Sequence, residues 1–429
     1  MDLPGPPPRS TQREPHATAG DGRSTHIRAQ LARRARQLRS TWQHEGMGGI
    51  SRLARAALAG ALPSAAPVLP VRSADVLAAD LSQPFVPSIP PLRAGEPLRV
   101  NWVTTPPGPG SGGHSTLFRV IRYLQAHGCD SRIYFYDVYG GDHRYHAEVV
   151  RDVYGFAGPV LPLDGAMADA HAVVATAWPT AYPVFNARCS GKRYYFVQDH
   201  EPSFHPVGAL SVLAEDTYRM GFHAITAGAW LAGMLRADFG MQADPFEFGC
   251  DLSSYTRSPY DAQRRGVAFY ARPGAPRRAF ELGLMALEVF AQSHPEVELH
   301  LYGDAMGALP FRFVDHGHVT PAQLNDIYNL CFAGLSLSLT NVSLVPHEML
   351  AAGCIAVVND AEHNRIVLDN PFVHYARLTP HALASALESV LATPDFPALS
   401  RAAAASVRSA SWDDAGAAVE RVFRRGLEG

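Results

Sequence analysis

Residues 335–359 (LSLSLTNVSLVPHEMLAAGCIAVVN) read as a strand, a tight polar loop, a short helix and a second strand. The run 332–339 is short, apolar and bounded by turn residues, as suits a buried strand. Thr340, Asn341 and Ser343 are candidate helix caps, and Pro346 is tolerated only in a first helical turn. Residues 349–352 continue the helix, Gly353 can take a left-handed C-terminal position, and 355–358 is β-branched and apolar. The spacing predicts a βαβ unit whose helix begins at the carboxyl end of its first strand. Unsatisfied N–H groups there suit a phosphate. Glu348 stands about one turn in, placed to accept hydroxyl hydrogen bonds from whatever carries that phosphate. An ordinary crossover with a surface glutamate fits the same stretch.

Other segments repeat the alternation. Residues 98–104 read as a strand, followed by a loop with glycines at 108, 110, 112 and 113. Ser115 or Thr116 is the expected start of a helix with apolar face Leu117, Val120, Ile121 and Leu124, ending at Gly128. This order is that of a doubly wound α/β domain, although the loop lacks GxGxxG and gives no reason to expect nicotinamide. Further strands are expected at 131–138, 172–176, 193–197 and 222–226. The strand 193–197 runs straight into Gln198, Asp199, His200, Glu201 and Pro202. Polar groups at a strand's carboxyl end suit acid–base chemistry or sugar binding, and equally a turn with capping acids. A polar, turn-rich stretch begins at Pro245, and a second alternating series starts at Gly266. The expected organisation is an N-terminal extension (1–97), a first Rossmann-like domain (98–248), a linker (249–265) and a second such domain (266–429). Ligands then bind between the two domains' carboxyl-edge loops.

Composition narrows the partners. A net charge of −3 gives no reason to expect nucleic acid. Basic residues are almost all arginine, with Lys192 the only lysine, so roles often filled by lysine fall to arginine. Five scattered cysteines without a CxxC pair argue against a zinc site or a disulfide framework and fit a reducing cytoplasm. No apolar run is long enough to span a membrane. Residues 27–62 carry seven arginines against Glu45 in a helical pattern, which suits a peripheral contact with an anionic inner membrane face, or packing on a partner. Oligomeric state leaves no mark in the sequence.

From residue 98 to about 425 the chain resembles the GT-B fold glycosyltransferases of family 4. Gly249-Cys250-Asp251 is similar to the family's hinge, and Ala271-Arg272 with Arg277 or Arg278 to its "GR…K" diphosphate grip. Gly303 sits where the family has a glycine after the next strand, and Glu348 matches the second glutamate of its Glu-x7-Glu motif, which binds the nucleotide ribose. The first glutamate, which touches the donor sugar, is replaced here by Thr340. The runs YYFVQDHEPSFHP, TAWPTAYPV and NVSLVPHEMLAAGC look like the rhamnosyltransferase branch typified by WsaF.

The resemblance implies GT-B architecture and hexosyl transfer to a hydroxyl of a growing surface polysaccharide, free or lipid-linked. It implies L-rhamnose from dTDP-L-rhamnose as donor, with neither metal nor other cofactor. Arg272, Arg277 or Arg278, with the helix start at Asn341, Val342, Ser343, Leu344 and Val345, would stabilise the leaving diphosphate. Glu348 would hold the ribose and Thr340 the sugar. Gly112, Gly113 and His114 would approach from the first domain. Asp199, with Gln198 and Glu201 nearby, would orient or deprotonate the acceptor hydroxyl, unless the leaving phosphate takes that proton. The alternative is a GT-B homologue without activity that binds glycans or serves as a scaffold, a reading favoured by Thr340.

Overall fold

The computed structural model describes residues 69–260, 263–342, 344–407 and 411–427, all within one compact unit. The basic stretch 27–62 and Ser343 lie outside them. Strands β1 (Arg99–Thr104), β2 (Asp130–Phe135), β3 (Val160–Pro162), β4 (Ala172–Ala175), β5 (Lys192–Val197), β6 (His223–Ala227) and β7 (Ala243–Phe246) form one sheet in the order β3-β2-β1-β4-β5-β6-β7. Strands β8 (Gly266–Ala271), β9 (Glu298–Gly303), β10 (Val314–Asp315), β11 (Cys331–Ser336), β12 (Ile355–Asn359) and β13 (His374–Ala376) form a second, ordered β10-β9-β8-β11-β12-β13. Every pairing in both sheets is parallel. Parallel strands need crossovers that cover both faces, which is why β4, β11 and β12 are buried along their whole length. Strand order reverses between β1 and β4 and again between β8 and β11, so each sheet opens a crevice above its carboxyl ends there.

The structure departs from the sequence expectation in four places. The first long helix begins at Gly112 rather than at Ser115 or Thr116, with Ser115 N–H already bonded to Ser111 O at 2.9 Å. A helix, Trp178–Asn186, follows β4 where the sequence reading expects no element, and its first turn is tied by Thr180. Strand β7 extends through Pro245 into the stretch that reads as polar and turn-rich; at a sheet edge a proline removes no ladder bond.

The last helix, Trp412–Arg425, was assigned to the second domain but packs on the first. Its apolar face of Ala415, Val419, Val422 and Phe423 needs a partner, and Phe423 lies edge-on to Trp102 (5.9 Å) and Tyr194 (4.9 Å). Gly249 makes the return possible, since a Cβ there would stand 2.5 Å from the Trp412 amide nitrogen. The connector at 69–97 also lies on the first domain, where the Tyr136 hydroxyl donates to Asp75 (2.6 Å) and Asn186 Nδ2 to Asp75 O (2.8 Å).

Candidate functional site

The carboxyl-edge loops of the two sheets meet, and Asn341 stitches them together. This residue is wholly buried. Its amide group donates to Gln198 O and to Ala227 O, each at 2.9 Å, at the ends of β5 and β6. Its backbone N–H donates to Asp199 Oδ1, also at 2.9 Å. The loop 338–341 is braced from behind as well: Asn359 takes the Ser338 N–H (2.8 Å) and returns Nδ2 to Ser338 O (2.7 Å), and the Ser338 hydroxyl bonds Asn341 O. Asn341 Oδ1 and the Thr340 hydroxyl are buried without a hydrogen-bond partner among the described residues. Thr340 is only 3 % exposed. A buried unpaired hydroxyl costs about 1–3 kcal/mol, so a site that keeps one is prepared for something that pairs with it.

The three arginines named from sequence behave differently. Arg272, at the end of β8, is exposed and donates Nη1 to the Tyr270 hydroxyl at 2.8 Å. Arg278 turns inward, giving Nη1 to Ser338 Oγ (2.6 Å) and Asn341 O (3.2 Å). Burial lowers its pKa to about 10, which still leaves it charged at neutral pH. Arg277 puts Nε 3.3 Å from Asp199 Oδ2 and its guanidinium 4.5 Å from the centre of the Phe204 ring. No described residue accepts a hydrogen bond from that guanidinium. Of the two alternatives, Arg278 is thus spent on the loop and Arg277 keeps its donors.

Glu348 is in the first turn of the helix Val345–Ala351, as expected. Burial raises its pKa to about 7; Arg119 favours the charged form and Asp251 opposes it. The same charge is felt by Tyr302 and Tyr328, whose hydroxyls are 2.7 Å apart. Tyr302 also stacks on Tyr270 at 5.3 Å. Gly303 adopts φ 114°, and a Cβ there would come 2.5 Å from Ala271 O, so only glycine lets β8 and β9 close at this end. Val342 is buried, while Leu344 and Val345 are partly exposed at the start of the helix.

On the first domain, Gly112 and Gly113 are exposed at their helix start, and the Gln198 side chain lies against Gly113. His114 is held by Ser111 Oγ (2.8 Å) and by Thr105 O, 3.1 Å from Nε2. A carbonyl only accepts, so Nε2 carries the proton and Nδ1 accepts from Ser111. Burial lowers the His114 pKa to about 4, so the ring is neutral.

One sequence expectation fails on geometry. Glu201 does not face the acceptor side. Its carboxyl turns under the loop, receiving the Trp178 N–H (2.6 Å) and the Tyr195 hydroxyl (3.1 Å), and burial raises its pKa to about 8. Asp199 is placed between the domains: its Oδ1 accepts both the Asn341 N–H and the His200 N–H (each 2.9 Å), and its Oδ2 is ion-paired with Arg277, 3.3 Å from Nε. Oδ2 accepts no hydrogen bond from a described residue, so it is the oxygen left to meet an incoming hydroxyl.

Among the described residues no group of three His, Cys, Asp or Glu side chains is arranged to hold a metal ion, and no helix is long and apolar enough to cross a membrane. Two other surface cavities, beside Lys192 and Asp244 and beside Arg257 and Ser400, lie at the amino edges of the sheets, away from these loops.

The architecture is GT-B. At 9 % identity the chain superposes on S. aureus TarM with a TM-score of 0.63, over 77 % of this chain and 100 % of that one. With Anabaena HepE, solved in complex with UDP and glucose, the score is 0.53 at 12 % identity, over 77 % of this chain and 98 % of that one. A family model described as WsaF, C-terminal domain, matches residues 265–388. The chain is also 34 % identical over 358 residues to the O-antigen biosynthesis protein RfbC of Myxococcus xanthus, covering 78 % of this chain and 27 % of that one. It therefore spans about a quarter of the length of that curated relative.

Proposed function

We propose that this chain is a glycosyltransferase that moves a sugar from a nucleoside diphosphate to a hydroxyl of a growing surface polysaccharide. The donor we propose is dTDP-L-rhamnose. The observation that carries the reading is a set of three groups at the carboxyl-edge loops of the second sheet: Arg277 without a hydrogen-bonded acceptor, the partly buried carboxyl of Glu348 and the unpartnered hydroxyl of Thr340. Each suits one part of a nucleotide sugar. The guanidinium suits diphosphate oxygens, the carboxyl a ribose diol and the hydroxyl a sugar oxygen. The WsaF match over the second domain supports the rhamnose donor, and RfbC's name as an O-antigen biosynthesis protein supports the acceptor class. HepE's UDP and glucose make a nucleotide sugar the natural ligand to try.

In this mechanism Arg277, with Arg272 at the rim, offsets charge growing on the leaving diphosphate, the part a metal plays elsewhere. The acceptor enters past Gly113 and Gln198. The acceptor proton passes to Asp199 or to the leaving phosphate. The seam excludes water that would hydrolyse the donor. The second reading, a glycan-binding homologue without activity, rests on Thr340 standing where the resembling enzymes have glutamate.

A thermal-shift panel of nucleoside diphosphates and nucleotide sugars on wild type and Glu348→Ala tests the reading. A ligand at about a hundred times its dissociation constant stabilises by roughly 2.7 kcal/mol. The proposal expects dTDP or its rhamnose conjugate to stabilise wild type and not the variant. No shift with any nucleotide would leave glycan binding as the better account.

A further inference from the structure

The nucleotide-sugar reading leaves open how Arg277 is held ready for a diphosphate. Arginine has a long, flexible side chain, and the usual way to fix it is to spend its N–H groups on protein acceptors. Arg278 is fixed that way, on Ser338 and Asn341. Arg277 is fixed differently. A ring 4.5 Å beneath the guanidinium sets its plane while taking no N–H, and a carboxylate 3.3 Å from Nε faces one edge of the group. Nε is buried and donates no hydrogen bond to a described residue, while the side chain as a whole is 32 % exposed, so its terminal Nη1 and Nη2 edge is the part left to meet a ligand. That edge matches the spacing of two phosphate oxygens. The backbone completes the arrangement: Arg277 O accepts the Leu339 N–H at 2.9 Å, tying the 276–278 turn to the loop that carries Thr340.

Ring and carboxylate both come from the first domain, from the 199–204 segment, whereas the arginine belongs to the second. We propose that Phe204, together with Asp199, is a positioning residue for Arg277, presenting its open edge to the diphosphate of the donor. The anion grip is then assembled only where the two domains meet. Phe204 makes no contact with the reacting atoms in this scheme. Its partial exposure, 37 %, is that of the wall of a binding cleft rather than of a core residue, so its replacement leaves the fold intact.

The test is calorimetric titration of the full chain with dTDP, UDP and GDP, comparing wild type with Arg277→Gln, Phe204→Leu and Phe204→Tyr. Leucine keeps bulk without a π face, and tyrosine restores the face. The expected result is a roughly 2- to 30-fold loss of diphosphate affinity in Phe204→Leu. Arg277→Gln should lose at least as much, and Phe204→Tyr should bind as wild type does. Melting temperatures should be unchanged across the Phe204 pair. Wild-type affinity in Phe204→Leu, or failure of Phe204→Tyr to restore it, would overturn the assignment. A wild-type chain that binds none of the three diphosphates would instead remove the nucleotide-sugar reading on which it rests.

Discussion

Glu348 gives the sharpest link between burial and binding. Burial raises its pKa to about 7, so near neutral pH the ligand-free carboxyl is close to half ionised. A ribose diol donates its hydrogen bonds best to the ionised form, so binding draws the proton off and affinity climbs with pH. For a ligand that binds only the carboxylate, the apparent dissociation constant scales as one plus the ratio of protonated to ionised forms. That makes binding about 11-fold weaker than its limit at pH 6 and about 1.1-fold weaker at pH 8, a span near 1.4 kcal/mol. Glu348→Gln keeps the shape and cannot titrate. It loses the charge-assisted part of two hydrogen bonds, roughly 10- to 100-fold in affinity. The terminal phosphate of the ligand titrates near pH 6 and contributes to both profiles, so the difference between them isolates the side chain. Calorimetry of dTDP binding from pH 6 to 8, in buffers of different ionisation enthalpy, reads affinity and proton release together. Wild type should release about half a proton more than the variant at pH 7. Superimposable profiles, or a wild-type affinity that falls as pH rises, would refute the reasoning.

Thr340→Val keeps shape and removes a buried hydroxyl without a protein partner, so it should raise stability by about 1 kcal/mol while leaving nucleoside diphosphate affinity unchanged. The same variant should weaken the nucleotide sugar about 3- to 10-fold, measured by competition between the two ligands. Asn341→Ala strands the Gln198 and Ala227 carbonyls and should cost about 2–4 kcal/mol in denaturant unfolding, with faster amide exchange across residues 338–342. Glu201 has its folded pKa raised to about 8, so its contribution to stability is complete below pH 4.5 and is lost as pH rises through 8. Glu201→Gln should therefore flatten that part of the stability profile and melt higher than wild type at pH 9.

The periodic elements of the fold were legible because strands buried on both faces are short apolar runs and the crossover helices have clear stops. The βαβ unit at 331–359 has its expected form, and Gly303 proves to be required by a close approach of backbone. What sequence could not supply is direction across long separations. Asn341 reads as a helix cap, and only the meeting of two domains 142 residues apart in sequence turns it into the seam. Arg277 and Arg278 are adjacent and chemically identical, and a single turn at Pro276–Arg278 sends one to the loop and the other to the cleft. Glu201 follows Asp199 by two residues, yet the 3-10 turn that starts there carries its carboxyl beneath the loop. Phe204 lies in a polar run, where no periodicity marks an aromatic residue for a role. The last helix is plainly amphipathic, but amphipathicity names a buried face and not the domain that buries it.

The most direct test of the central claim is release of nucleoside diphosphate when the chain is offered dTDP-L-rhamnose, with UDP- and GDP-sugars alongside, together with lipid-linked and free glycan acceptors. The account predicts acceptor-dependent release from at least one donor, with a matching gain in acceptor mass, and its loss in Arg277→Gln and Glu348→Gln. Glycan binding without release from any donor would contradict it.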